Sequence, residues 1–254
     1  MVIYNDVISN ADSNHNIILN VIDRRLNDGK VDIYNHNELI YSGFLDGSKF
    51  NTSIDSIKDK ITTLKIFITK NNNFQYIPLT TLRLHTDEPY IICDIDFTLS
   101  YTNVFLYITR NILSIKSLPD ASSVLTELSK KYTLIYLTGR IINHTKMTKL
   151  WLKKNNFPDG PIISRHTEST FDLMRYKSKS IASVSVISKK GIGIGDLNSD
   201  IKAYLTNDLV AIKIKNPIIR VKQHEEYEKR QNFYEAESWK AIKKIFNENN
   251  FYGV

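Results

Sequence analysis

Two aspartates, Asp94 and Asp96, stand two apart directly after the apolar run Tyr90-Ile91-Ile92-Cys93. At a strand end such a pair can turn into one crevice. Two like charges that close repel unless a cation lies between them or one carboxyl takes up a proton. Thr138-Gly139-Arg140 follows a second apolar run, Leu134-Ile135-Tyr136-Leu137. A hydroxyl and backbone N–H groups at a strand-to-helix turn make a phosphate cradle, which points to Thr138 and Gly139. Lys177, within Arg175-Tyr176-Lys177-Ser178-Lys179, offers a point charge for a phosphoryl oxygen. Gly195-Asp196-Leu197-Asn198-Ser199-Asp200 brings two more carboxylates, behind a third apolar strand and at the opening of a helix. Oxygen-rich sites with few protein carboxylates suit Mg²⁺. Singly, each motif has an ordinary structural reading: turn chemistry for Thr138-Gly139 and Asp196, a helix N-terminal acid for Asp200, a solvated lysine for Lys177. Their conjunction is more specific, because three of the four fall behind successive strands.

The elements that must position these residues alternate. Apolar runs at 90–93, 134–137, 191–195 and 210–214 predict buried parallel strands. Helical spacing is seen at 121–131 (Val124, Leu125, Leu128), 144–155 (Met147, Leu150, Trp151), 177–187 and 199–205. Such alternation predicts βαβ units, hence an α/β fold: a Rossmann-like parallel sheet with helices on both faces. Ligands bind such sheets at the carboxyl ends of the strands. A charged helix over 225–246 is expected to close the chain, with Trp239, Ile242 and Phe246 as its apolar stripe. Residues 1–85 read differently. Short β-branched runs such as Ile17–Ile22, Val31–Tyr34 and Leu64–Ile68 are punctuated by Asp28-Gly29, Asp46-Gly47 and Asn71-Asn72-Asn73. They predict a small all-β sandwich without catalytic residues. Its histidines, His15 and His36, are expected at the surface. The predicted organisation is a β-sandwich domain over 1–86 and a catalytic domain over 87–254.

Composition narrows the partners. The chain has 254 residues, 42% of them hydrophobic and 24% charged, with one cysteine. This excludes collagen-like, coiled-coil and wholly disordered chains, a disulfide framework and a multi-cysteine zinc site. Cys93 is expected as inert core. No apolar run reaches the length of a membrane span, and Met1-Val2-Ile3-Tyr4 has no signal-peptide pattern. A cytoplasmic location, with peripheral membrane contact left open, is the expectation. Residues 1–88 hold nine Lys/Arg and eleven Asp/Glu, while 89–254 hold twenty-five and sixteen. The C-terminal part is thus the half suited to anions: a phosphorylated substrate, an anionic lipid surface or a nucleic acid.

The ordered motifs Asp94-Ile95-Asp96-Phe97-Thr98, Thr138-Gly139-Arg140, Lys177 and Gly195–Asp200 resemble the haloacid-dehalogenase phosphohydrolase superfamily over roughly residues 89–222. A closer resemblance is to the lipin-type phosphatidate phosphatase domain and its relative in membrane-associated phosphatidylinositol-transfer proteins. It is carried by Thr138-Gly139-Arg140, Trp151-Leu152, Pro158-Asp159-Gly160-Pro161, Tyr176-Lys177 with Ile181, and Gly195…Asp200…Tyr204. Two positions depart from that pattern: Phe97 stands where the family usually has glycine, and Asp196 fits the wider superfamily better than the lipin group. No stretch between the motifs is long enough for a large cap domain, so the fold is expected to be essentially uncapped.

The resemblance implies a mechanism. Asp94 attacks phosphorus to form an aspartyl-phosphate, and Asp96 serves the leaving alkoxide as acid and the attacking water as base. Mg²⁺ is held by Asp94, Asp96 through its backbone carbonyl, Asp196 and Asp200. Thr138, Gly139 and Lys177 bind the phosphoryl group, with Lys179 as the alternative lysine. Three functions stay open: a Mg²⁺-dependent phosphatase turning phosphatidate into diacylglycerol at a membrane surface, a phosphatase for a soluble or polynucleotide phosphate, and a non-catalytic phosphatidate-binding module. His144 and His166 lie near the expected mouth and are read as surface polar residues.

Overall fold

The computed structural model describes residues 2–102, 112–166, 173–215 and 230–254. The C-terminal half is built on a six-stranded parallel sheet of order β11-β10-β9-β12-β13-β14. The strands are β9 (Tyr90–Cys93), β10 (Thr133–Ile141), β11 (Ile162–Arg165), β12 (Gly191–Gly195), β13 (Val210–Ile214) and β14 (Phe233–Ala236). β9, β12 and all but the last residue of β10 are buried along their whole length. That burial is why they read as unbroken apolar runs rather than alternating ones.

Strand alternation sends side chains to two cores. Ile91 and Cys93 face one, with Val124 and Leu125 of α1 (Ala121–Leu128), Trp151 and Leu152 of α2 (Thr145–Lys154) and Trp239, Ile242 and Phe246 of α5 (Trp239–Asn249). Tyr90 and Ile92 face the other, with Ile181 and Val184 of α3 (Leu173–Ser185) and Ile201 and Tyr204 of α4 (Asn198–Thr206). Helices therefore cover both faces. Gly193 lets α4 lie close, because a Cβ there would come within 2.1 Å of the Tyr204 ring. The sheet grows one way from β9 through β10 to β11, then restarts on the other side with β12. This reversal opens a crevice beyond the carboxyl end of β9, where ligands bind in sheets of this kind.

Residues 2–84 form two further sheets. One is antiparallel, of order β1-β3-β6 (Val2–Ile3, His15–Val21, Lys49–Ile54). The other has the order β2-β8-β7-β4-β5 (Val7–Asn10, Asn73–Leu84, Ile61–Lys70, Lys30–Asn35, Glu38–Phe44) and is antiparallel except for the β2–β8 pair. Their inner faces share one core, including Ile17, Leu19, Val31, Ile33, Leu64, Ile66 and Ile68. The end of β8 does not stop there: Leu82 and Leu84 pack into the second core of the parallel sheet.

Two sequence expectations need correction. Residues 225–229 lie outside the described residues, and 233–236 form strand β14 rather than helix. Helix α5 begins only at Trp239, where Ser238 Oγ accepts the Ala241 N–H. His15 is fully buried rather than at the surface.

Candidate active site

The chain leaves β9 in a tight turn. Asp94 N–H still donates to Ile194 O of β12 at 3.0 Å, and Leu99 and Ser100 N–H both return to Ile95 O. Phe97 sits at the bend with φ +57°, and its N–H donates to Thr102 O. Trp239 Nε1 anchors the same turn at Thr98 O, 2.9 Å away. A left-handed backbone is unusual for a bulky residue and stores strain of order 1–2 kcal/mol. Here it carries Asp94 and Asp96 on either side of one bend.

Two groups of side chains meet beyond the sheet. In the first, carboxylate oxygens of Asp94, Asp196 and Asp200 all lie within 4.8 Å of one another. Lys177 enters from α3, on the helix face it shares with Ile181 and Val184. Its ammonium donates to Asp94 Oδ1 at 2.9 Å and Asp200 Oδ1 at 2.8 Å. Asp200 reaches in from the first turn of α4 past Gly195, where a Cβ would crowd Asp200 Cβ and Oδ2 at 2.9 Å. The other oxygen of Asp200, Oδ2, is buried and has no hydrogen-bond partner. Thr98 Oγ1 donates to Asp196 Oδ1 at 3.5 Å.

In the second group Arg140 binds Asp96. Its Nη2 donates to Oδ1 at 2.8 Å, and its Nε lies 3.2 Å from both carboxylate oxygens. Thr138 Oγ1 donates to Asp96 Oδ2 at 3.5 Å and accepts the Arg140 N–H at 3.1 Å. The local cause is a break in the β10–β11 ladder. Thr138 pairs with Ser164 and Ile141 with the very next residue, Arg165, so Gly139 and Arg140 bulge out between them. Bulges re-aim side chains in this way beside functional sites.

All these groups are buried, Asp96 being the most exposed at 7%. Burial pushes the Asp94 carboxyl well above the usual carboxylate range; Lys177 opposes this, and Asp200, Asp196 and Asp96 add to it. Burial works against the Lys177 charge, yet Asp200 and Asp94 outweigh it and hold the ammonium above its ordinary range. Among the described residues, four carboxylates of this site face the Lys177 and Arg140 cations, so negative charge is in surplus there. The donor set is all oxygen, and the unpartnered Asp200 Oδ2 lies within it. Both features fit a hard divalent cation.

Of the residues marked in the sequence, Asp94, Asp196, Asp200 and Lys177 come together, and Asp96 and Thr138 adjoin them. Gly139 forms the bulge. Lys179 is exposed on α3, whereas Lys177 two residues before it is buried. His144 is half-buried, its proton affinity lowered by burial and by Arg140. His166 lies 3.2 Å from Asn5 Nδ2, towards the N-terminal sheets. Burial raises the Cys93 thiol, as befits core. Sequence reasoning passed over Arg140 and Thr98, although both stand inside the quoted motifs.

Residues 91–214, just under half of the chain, match the family model described as the LNS2 domain of PITM 1-3. A sequence search of curated proteins gives no match. Among solved structures, the chain is similar to D,D-heptose 1.7-bisphosphate phosphatase from B. bronchiseptica, complexed with magnesium and phosphate. The identity is 12%, the TM-score 0.47, and 63% of this chain and 98% of that one are covered. It is also similar to a predicted phosphatase from Clostridium acetobutylicum (16%, TM-score 0.46, 64% and 100% covered). A third is a haloacid dehalogenase-like hydrolase from Streptococcus pneumoniae (15%, TM-score 0.46, 63% and 98% covered).

Proposed function

We propose, from the premise that residues 91–214 form a haloacid-dehalogenase-type phosphatase domain related to LNS2, that the chain is a Mg²⁺-dependent phosphohydrolase whose substrate is phosphatidate. The observation that carries the chemistry is the meeting of Asp94, Asp196 and Asp200 within 4.8 Å beside the buried Lys177 ammonium. Asp94, Asp196 and Asp200 would hold the cation, with the Asp96 carbonyl as a further ligand by family resemblance. A bound Mg²⁺ supplies charge neutralisation for the transferring phosphoryl group.

The chain's own residues do the rest. An Asp94 carboxylate oxygen bonds to phosphorus as the phosphorus–alkoxide bond breaks, and Asp96 gives its proton to the departing alkoxide. Water then attacks phosphorus and Asp96 takes the water's proton. The Asp94–phosphorus bond breaks, releasing inorganic phosphate. Lys177 and Thr138 hold phosphoryl oxygens throughout, in a site from which water is largely excluded.

Phosphatidate is favoured over other monoesters by the LNS2 match and the basic excess of residues 89–254. Among the described residues no helix is long and apolar enough to cross a membrane. The test is a phosphate-release assay of the full chain on phosphatidate micelles, p-nitrophenyl phosphate and a 3′-phosphorylated oligonucleotide, with and without Mg²⁺. Mg²⁺-dependent release that is fastest from phosphatidate supports the reading. Preference for the oligonucleotide replaces the substrate but keeps the chemistry. Vesicle binding with no release from any of the three would make the chain a phosphatidate-binding module.

A further inference from the structure

Arg140 is fully buried, yet it packs as though its direction mattered. The bulge at Gly139 and Arg140 turns it into the crevice, and three contacts then fix the guanidinium plane. Asp96 takes Nε and Nη2, Thr148 Oγ1 accepts from Nη1 at 3.4 Å, and the Trp151 ring lies 5.6 Å from Cζ. Thr148 and Trp151 belong to α2, one turn apart on its buried face. A planar fork held on three sides transfers its orientation to whatever it grips, which a lysine point charge cannot do.

We infer that Arg140 is the positioning residue for Asp96: its fork sets the orientation from which the Asp96 carboxyl serves the leaving oxygen. The inference rests on the proposed reaction and adds a role to it. A general acid contributes only when held within hydrogen-bond reach of the atom it protonates, and on the described residues Arg140 and Thr138 are what hold it. The Arg140 fork grips Asp96, whereas Asp94 and Asp200 are held by Lys177, so loss of the fork should spare phosphoryl binding and nucleophilic attack.

That separation makes the role measurable. An alkoxide leaving group needs the proton and p-nitrophenolate does not. The probes are phosphatidate and p-nitrophenyl phosphate with Mg²⁺, with glycerol 3-phosphate as the alkyl ester if phosphatidate is refused. Water attack on the phospho-enzyme needs the Asp96 base whichever ester is used, so the readout is the single-turnover rate of alcohol or phenolate release. For Arg140→Gln we expect it to fall about 100-fold on the alkyl ester, against less than about 5-fold on the aryl ester. Arg140→Lys, which keeps the buried charge and guards against misfolding, should show the same selectivity more weakly. Asp96→Asn should match it, and Arg140→Gln added to Asp96→Asn should cost nothing further on either ester. Equal losses on both esters in the folded Lys variant would overturn the inference, as would additive losses in the double variant. If the unmodified protein cleaves neither class of ester with Mg²⁺, the reaction itself fails and this role goes with it.

Discussion

Lys177 Nζ stands 2.9 Å from Asp94 Oδ1, a contact that ties helix α3 to the end of the central strand. The ammonium also reaches Asp200, so one cation spans two of the three clustered carboxylates. Removing it leaves buried like charges facing each other. Lys177→Met should destabilise the fold by about 3–5 kcal/mol, the usual cost of breaking a buried pair from one side. Added Mg²⁺ should restore part of that loss, because the cation binds the folded state only. Urea titrations with and without Mg²⁺ check both, and a variant as stable as the parent would show that Lys177 is not what balances the cluster.

Phe97 holds φ +57° while its ring is buried. At most positions glycine is less stable than alanine because it gives up more backbone freedom. Here the order should reverse. Phe97→Gly and Phe97→Ala both lose the ring, but only Ala keeps the left-handed strain, so the Gly variant should be more stable by about 1 kcal/mol. Paired denaturation midpoints read the difference directly; an Ala variant equal to or better than Gly would mean the bend is unstrained.

Asp6 and Lys149 join the two halves of the chain. Asp6 accepts the N–H groups of Thr80 (2.7 Å) and Ile162 (2.8 Å) as well as the Lys149 ammonium, which also donates to Pro78 O. Burial raises the Asp6 carboxyl and lowers the Lys149 ammonium, each against the pull of its partner. Lys149→Met should therefore cost about 3–5 kcal/mol. Asp6→Asn added to it should recover a good part, since the amide oxygen still accepts a backbone N–H without a buried charge. A double variant no better than Lys149→Met would show that the charge is not the problem.

His15 gives the pH dependence. Its Nδ1 lies 2.8 Å from Ser9 Oγ and its Nε2 is buried without a partner. Burial, then Arg83, depress it from the usual 6.5 to about 4. The unfolded chain therefore binds this proton more readily than the folded one. The resulting stability is fully present above about pH 6.5 and is lost as the pH falls towards about 4, by at most about 3 kcal/mol. Subtracting the pH–stability curve of His15→Gln from that of the parent isolates the effect, and a flat difference over that range would refute it.

The parallel sheet was legible because its central strands are buried on both faces and so write unbroken apolar runs. β11 and β14 were not: each has four residues at a sheet edge, and Phe233-Tyr234-Glu235-Ala236 sits in a charged stretch that reads as helix. The burial of His15 had a signal that went unread, since it lies in phase with Ile17, Leu19 and Val21 along β3. Arg140 is the opposite case. An arginine after Thr-Gly reads as a solvated turn residue, and only the ladder bulge, set by pairing with a distant strand, turns it inward. The carboxylates were legible because their chemistry is in their side chains, whereas a positioning residue takes its role from tertiary geometry.

The central claim is that Asp94 accepts the phosphoryl group. It is tested most directly by phosphate release from the parent chain and from Asp94→Asn, with Mg²⁺, on phosphatidate and p-nitrophenyl phosphate, both proteins being shown folded by matched thermal transitions. The account predicts Mg²⁺-dependent release by the parent and a loss of at least about 1,000-fold on both esters in the variant, because an amide cannot form the covalent intermediate. A parent chain that releases no phosphate from either ester would contradict it, and so would an Asn variant that retains the parent's rate.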